Sequence, residues 1–287
     1  FGRLGEDLKE RKKITIPDLY QMKKDGQKIS MITAYDYPTA VLAEQAGVDT
    51  VLVGDSLGNV VMGLDSTVPV TMEEMLHHIK AVRRGVRNAL LIGDMPFLSY
   101  QVSREQAITN AGRFLKEGGC DMVKLEGGSE MAPTVKAIVD AGIPVCAHIG
   151  LTPQSVSKLG GYKVQGKDLS GAQRMIDSAK ALQAAGADMI VFECIPSALA
   201  KAITSAVSMV TIGIGAGPDC DGQVLVFHDV VGFTTRKTPK MAKQYVDLFA
   251  KVRKALSSYH QDVKSGAFPA PEHGFAMDAK VVKKLKI

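Results

Sequence analysis

The chain has 287 residues, of which 46% are hydrophobic and 23% charged, with 28 glycines and no tryptophan. That composition excludes a disordered chain, a fibrous repeat and a small disulfide-stapled module. The formal charge of +5 collects at the two ends, +2 over residues 1–13 and +3 over residues 278–287, around a body of 26 basic and 26 acidic residues, so solvated tails are expected and neither nucleic acid nor a membrane is expected as a partner.

The segment Ile14 to Gly26 is expected to form a helix closing the bottom of the fold before the first strand. Short runs rich in β-branched and aliphatic residues then recur at Ile29 to Ala34, Thr50 to Asp55, Leu90 to Asp94, Asp121 to Glu126, Ile143 to His148, Asp188 to Glu193, Val210 to Ile214 and Gln223 to Val226, giving eight strands. Helical stretches separate most of them. One runs from Thr39 to Gln45, and capping boxes are expected at Thr71 with Glu74, Ser103 with Gln106 and Ser170 with Gln173. Glycines in AGV, GGC, AGI and AGA turns stand where helices stop and strands begin. A long last helix is expected over Met241 to Ser257. Eight βα units, with no G-x-G-x-x-G after the first strand and no Pro- or Ser-rich linker, favour a single (β/α)8 barrel domain with short basic tails over a doubly wound sheet.

Period-two reading puts Val51, Val53 and Asp55 on one face of their strand, and Leu90, Ile92 and Asp94 on one face of theirs. The fourth strand sets Met122, Lys124 and Glu126 on one side, the fifth ends at His148, and the sixth sets Met189, Val191 and Glu193 on one side. If these sides face inward, the charged groups converge at the strand C-termini, where barrel enzymes hold their catalytic groups. Each residue also has a plainer reading. Asp55 and Asp94 suit helix N-caps, Lys124 and Glu126 an ion pair, and His148 a bond to a carbonyl. Convergence favours the functional reading, because four carboxylates against one lysine and one histidine in one mouth call for a cation. Oxygen donors without a Cys or His cluster suit Mg2+ rather than zinc.

Three other features carry less. Cys120, Cys146, Cys194 and Cys220 form no C-x-x-C pair and read as reduced core or loop thiols of a cytoplasmic protein. His77 and His78 lack metal spacing and belong on a helix surface. The stretch Gly213-Ile214-Gly215-Ala216-Gly217 suits either a ligand-cradling loop or a tight turn at the rim. No run of about 18 apolar residues occurs, and Phe1 opens a polar stretch without the apolar core of a signal peptide.

Several motifs resemble one family. Ile32-Thr33-Ala34-Tyr35-Asp36, Val53-Gly54-Asp55-Ser56-Leu57-Gly58, Met62-Gly63-Leu64-Asp65-Ser66-Thr67, Gly93-Asp94-Met95-Pro96-Phe97, Val123-Lys124-Leu125-Glu126-Gly127 and His148-Ile149-Gly150-Leu151-Thr152-Pro153-Gln154 are similar to the ketopantoate hydroxymethyltransferases. The similarity continues through Phe192-Glu193-Cys194-Ile195-Pro196 and Ile212 to Gly217 as far as Cys220-Asp221-Gly222-Gln223, and spans about Ile14 to Phe275. It departs at Glu272-His273-Gly274-Phe275, where the family pattern has Ser in place of Gly274.

The resemblance implies a (β/α)8 enzyme that transfers a hydroxymethyl group from 5,10-methylenetetrahydrofolate to 3-methyl-2-oxobutanoate, giving 2-dehydropantoate for pantothenate synthesis. It further implies Mg2+ and a homo-oligomer, a decamer. By the same resemblance Asp55, Asp94 and Glu126 map to the metal, Ser56 and Lys124 to substrate contacts and Glu193 to the proton acceptor. His148 is expected to orient the keto acid or a water. Three alternatives compete: a keto-acid lyase of the phosphoenolpyruvate mutase and isocitrate lyase group, a Schiff-base aldolase using Lys124, and a catalytically silent barrel.

Overall fold

Thr15 accepts the peptide N–H of Asp18 and the Asp18 carboxylate accepts that of Thr15, so the chain enters helix α1 (Ile16–Lys24) through a reciprocal cap with Pro17 in the first turn. The structure, a computed structural model, describes residues 11–156, 161 and 163–285. Eight strands follow: β1 (Ile29–Thr33), β2 (Thr50–Val53), β3 (Leu90–Asp94), β4 (Met122–Glu126), β5 (Val145–Gly150), β6 (Met189–Glu193), β7 (Val210–Ile214) and β8 (Gly222–Leu225). Each pairs in parallel with the next, and β8 returns to β1, closing the barrel. The expected (β/α)8 architecture is therefore the observed one.

The helices between strands are α2 (Tyr37–Gln45), α3 (Leu57–Val60), α4 (Met72–Gly85), α5 (Arg104–Lys116), α6 (Ala132–Asp140), α7 (Leu169–Ala184) and α8 (Ser197–Ala206). Beyond β8 come α9 (Phe227–Val231), α10 (Leu248–Ser265) and α11 (Ala279–Val282). Strand alternation divides the apolar residues into two cores. Leu52, Ile92, Met122, Cys146, Met189 and Ile212 fill the barrel, and Leu19 and Met22 of α1 join that cluster from the bottom, as expected. The opposite strand faces, including Leu91, Val123, Ala147 and Ile190, pack under Ile79, Phe114, Ile138 and Leu182 of the surrounding helices. Full burial of each such Leu, Ile, Val, Met or Phe side chain contributes about 1.5–3 kcal/mol.

Several sequence expectations need correction. In β2 the inward residue is Leu52, whereas Val51 and Val53 lie under the helices. The strand stops at Val53, so Asp55 is carried by the following turn and is not its last residue. Helix α7 is capped by Asp168, whose carboxylate accepts the N–H of Gly171 at 2.8 Å, and Ser170 falls inside the first turn. The last long helix begins at Leu248, because Asp247 supplies the cap by accepting the N–H of Ala250, and it runs to Ser265 before Gly266 turns left-handed. None of its residues is buried, and Phe249, Leu256, Tyr259 and Val263 stand exposed on it.

The cap at Thr71 and Glu74 is reciprocal as expected, while Ser103 accepts from Gln106 without a bond in return. His77 is exposed, and His78 is half-buried with Nδ1 against the Tyr35 carbonyl oxygen. All four cysteines are free. Gly215 and Gly217 adopt positive φ, and a Cβ on Gly217 would meet Ser197 Oγ at 2.3 Å, so this stretch makes a tight turn that side-chain-bearing residues would strain.

Candidate active site

Moving two residues up a barrel strand replaces an apolar side chain by a charged one: Ile92 by Asp94, Met122 by Lys124, Val191 by Glu193. Asp55, Ser56, Asp94, Lys124, Glu126, His148 and Glu193 all line one cavity of about 480 Å³ at this end of the barrel, within the size range of small-molecule sites. Arg236, Pro239 and Met241, from the segment after α9, line it as well.

Lys124 Nζ lies 2.7 Å from Asp94 Oδ1, with both side chains 5% exposed or less. Lys124 thus pairs across strands with Asp94, and the helix-cap reading of Asp94 falls away because α5 is capped by Ser103. The peptide N–H of Asp55 donates to Asp94 Oδ2 at 3.2 Å, which ties the turn after β2 to the end of β3. Ser56 Oγ shares a 2.8 Å hydrogen bond with the Tyr35 hydroxyl.

His148 is aligned with Glu126 by the β4–β5 register, while Gly150 is aligned with Glu193 by the β5–β6 register. Its Nδ1 lies 3.5 Å from Glu126 Oε1 and its Nε2 3.3 Å from Glu193 Oε2. Both separations exceed those of well-formed hydrogen bonds, and no carbonyl binds the ring among the described residues. Gly150 permits this approach: with φ at +101°, a Cβ there would lie 2.2 Å from the Glu193 carbonyl oxygen.

The charges do not balance. Burial, then repulsion from Asp94 and Glu126, pushes the Asp55 carboxyl up to about 8 against the opposing Lys124 charge and a Gln154 hydrogen bond. Burial likewise raises Asp94, although Lys124 pulls it down. Burial would also raise Glu126, but His148 and Lys124 together hold it below the ordinary carboxylate range. Burial and the Lys124 charge oppose protonation of His148, yet Glu126 and Glu193 carry it up to about 9. Lys124 is raised despite its burial by Asp94, Glu126 and Asp55, so it is an ammonium at neutral pH.

Buried, mutually repelling carboxylates are relieved by a hard cation. The donor set fits one that takes only part of its coordination from protein: the rim carboxylates offer oxygen, and Glu126 Oε1 is buried without a hydrogen-bond partner among the described residues. Among those residues no three His, Cys, Asp or Glu side chains are grouped so as to hold a metal ion by themselves.

Sequence reasoning missed Gln154 and Tyr100. Gln154, 6% exposed, donates through Nε2 to Asp55 Oδ2 at 3.0 Å and through its peptide N–H to Glu126 Oε2 at 3.1 Å. Its place in the Leu151-Thr152-Pro153-Gln154 stretch was the available signal, but an uncharged side chain six residues beyond His148 drew no electrostatic attention.

Residues 13–271 match the family model described as ketopantoate hydroxymethyltransferase. The 3-methyl-2-oxobutanoate hydroxymethyltransferase of Carboxydothermus hydrogenoformans is 58% identical over 95% of this chain and 99% of its own length. The protein of the same description from Heliobacterium modesticaldum is 57% identical over 93% of this chain and 97% of its own. Among solved structures, a phosphonopyruvate hydrolase in complex with oxalate and Mg++ superposes with a TM-score of 0.61 at 13% identity, covering 94% of each chain. A 2,3-dimethylmalate lyase, described as a PEP mutase/isocitrate lyase superfamily member, gives 0.54 at 14% identity over 93% of each chain. At such identities these two structures establish the barrel fold alone. Similarity over nearly the full length identifies the chain as a hydroxymethyltransferase enzyme of pantothenate synthesis, and it belongs to the ketopantoate hydroxymethyltransferase family.

Proposed function

We propose that the protein transfers a hydroxymethyl group from 5,10-methylenetetrahydrofolate to 3-methyl-2-oxobutanoate, giving 2-dehydropantoate, through an enolate of the keto acid formed with Mg2+ present. The observation that carries this reading is the junction of an acidic floor, Asp55, Asp94 and Glu126, which Lys124 offsets only in part, with Glu193 across His148 in one cavity. Asp55, Asp94 and Glu126 would hold the Mg2+. When bound, Mg2+ supplies Lewis-acid polarisation of the 2-oxo group.

Glu193 is the general base. Its side chain remains 15% exposed while His148 beside it is 2% exposed, so it can reach a substrate C3 hydrogen from the cavity wall. Lys124 holds its ammonium where negative charge grows on the keto oxygen, and Asp94 fixes that ammonium at 2.7 Å. Ser56, oriented by Tyr35, donates to the substrate carboxylate. His148, protonated between Glu126 and Glu193, orients the keto acid and keeps the two carboxylates apart in function. The enolate carbon then attacks the methylene carbon delivered by 5,10-methylenetetrahydrofolate, both C–N bonds to that carbon break to release tetrahydrofolate, and one water supplies the hydroxyl oxygen of the product.

The ammonium state of Lys124 speaks against a Schiff-base aldolase, whose lysine must be free to attack a carbonyl. The bare apolar side chains of α10 favour a homo-oligomer; that it is a decamer rests on the family resemblance alone. All four cysteines are free, which supports a cytoplasmic place for the enzyme, and no helix among the described residues is long and apolar enough to cross a membrane. Purified protein with Mg2+ and 3-methyl-2-oxobutanoate should form 2-dehydropantoate only when methylenetetrahydrofolate is added. Turnover without any folate donor would remove this assignment.

A further inference from the structure

Asp55 differs from its two acidic neighbours in how it is held. Asp94 and Glu126 end strands and inherit their positions from the barrel ladder, whereas Asp55 stands in a turn beyond β2. Its carboxylate is held from behind by Gln154, which belongs to the short turn Pro153–Ser155 after β5 and does not line the cavity.

We propose that Gln154 is a positioning residue for cation binding, fixing the carboxylates of Asp55 and Glu126, and that Tyr100 sets the orientation of its amide. This inference rests on the cation-dependent reading above. The amide is fully committed: Nε2 donates to the Met95 carbonyl at 2.9 Å and to Asp55 Oδ2 at 3.0 Å, and Oε1 accepts from the Tyr100 hydroxyl at 2.6 Å. Reversing the amide would face its oxygen against a carbonyl and a carboxylate, two acceptors, so one orientation is selected. The Tyr100 oxygen accepts the peptide N–H of Glu126 at 3.1 Å, and of the two acceptors in reach of its own hydrogen, Gln154 Oε1 at 2.6 Å is closer than the Glu126 carbonyl oxygen at 3.3 Å. A chain of hydrogen bonds thus runs from Glu126 through Tyr100 and Gln154 to Asp55, and the Gln154 peptide N–H closes it on Glu126 Oε2.

The chemistry explains why an amide stands there. It gives a hydrogen bond to an acidic cluster without adding a fourth negative charge, as Glu would, or a cation that competes with the metal, as Lys would. It also assigns Asp55 Oδ2 to the protein, so the other carboxylate oxygen is the one presented to a cation.

The test is Mn2+ binding to the full chain, followed by the loss of the free-ion electron paramagnetic resonance signal. Gln154→Met keeps the side-chain length and removes the donors. It should weaken Mn2+ binding by about 10–100-fold, the effect typical of residues that orient metal ligands, and the lost turnover should return when Mn2+ is raised to saturation. Tyr100→Phe keeps the ring and should show a smaller loss in the same direction, which decides the matter if Gln154→Met fails to fold. Folded variants that bind Mn2+ as the unaltered protein does would overturn the positioning role alone. An unaltered protein that binds no Mn2+ would overturn the cation reading and this inference with it.

Discussion

The inside of the barrel and its mouth are built from the same strands, yet they obey opposite rules. Below, Leu52, Ile92, Met122, Cys146, Met189 and Ile212 form a dry plug in which shape and apolar area decide stability. One inward position further along, Asp94, Lys124, His148 and Glu193 are buried just as fully or nearly so, but they carry charge and repel or pair. The difference teaches that the plug stabilises the fold while the mouth draws on that stability to hold charges that burial alone would neutralise. Substitutions in the two layers should therefore separate stability from chemistry.

The largest effect on folding is expected from Lys124→Met, which leaves Asp94 buried without its partner. Urea denaturation should show a loss of about 3–5 kcal/mol at neutral pH, together with loss of turnover. Adding Asp94→Asn should recover most of that stability and none of the turnover; recovery of both would merge the two layers. In the plug, Ile92→Ala should cost about 2–5 kcal/mol by opening a cavity, while Mn2+ affinity measured on the folded protein stays unchanged. Altered metal affinity there would show that plug packing sets the geometry of the mouth.

A smaller effect concerns a histidine away from the acidic floor. His228 is packed beside Tyr35, Phe227 and Phe233, and burial holds it below its ordinary value while Asp36 pulls the other way. Its folded value lies below that of the unfolded chain, so its contribution is complete above about pH 6.5 and is lost as pH falls below that point. Between pH 7.5 and 5.5 the unaltered protein should lose stability relative to His228→Phe. An equal slope would mean that burial does not govern this imidazole.

Much of this contrast was legible in the sequence. Period two placed Asp94, Lys124, Glu126 and Glu193 on the inward side because each belongs to a strand whose ladder continues through it. It failed for Asp55, since the chain leaves the ladder at Gly54 and a turn, rather than alternation, aims that side chain. Helix ends were legible where a cap and its third residue are adjacent, as at Thr71 and Glu74. They were misread where two candidate caps compete, as Asp168 and Ser170 do. Gln154 was invisible for a different reason: its partners lie after β2, after β3 and at the end of β4, and a long-range hydrogen-bond network leaves no local spacing to read.

The central claim is that Glu193 removes the C3 proton of the keto acid at a site organised for a divalent cation. Nuclear magnetic resonance of 3-methyl-2-oxobutanoate in D2O, with protein and Mg2+ but no folate, measures that step alone. The unaltered protein should exchange the C3 hydrogen for deuterium, chelator should suppress the exchange, and Glu193→Gln should slow it by about 10²–10⁴-fold. Exchange that proceeds unchanged in the presence of chelator and in Glu193→Gln would contradict the account.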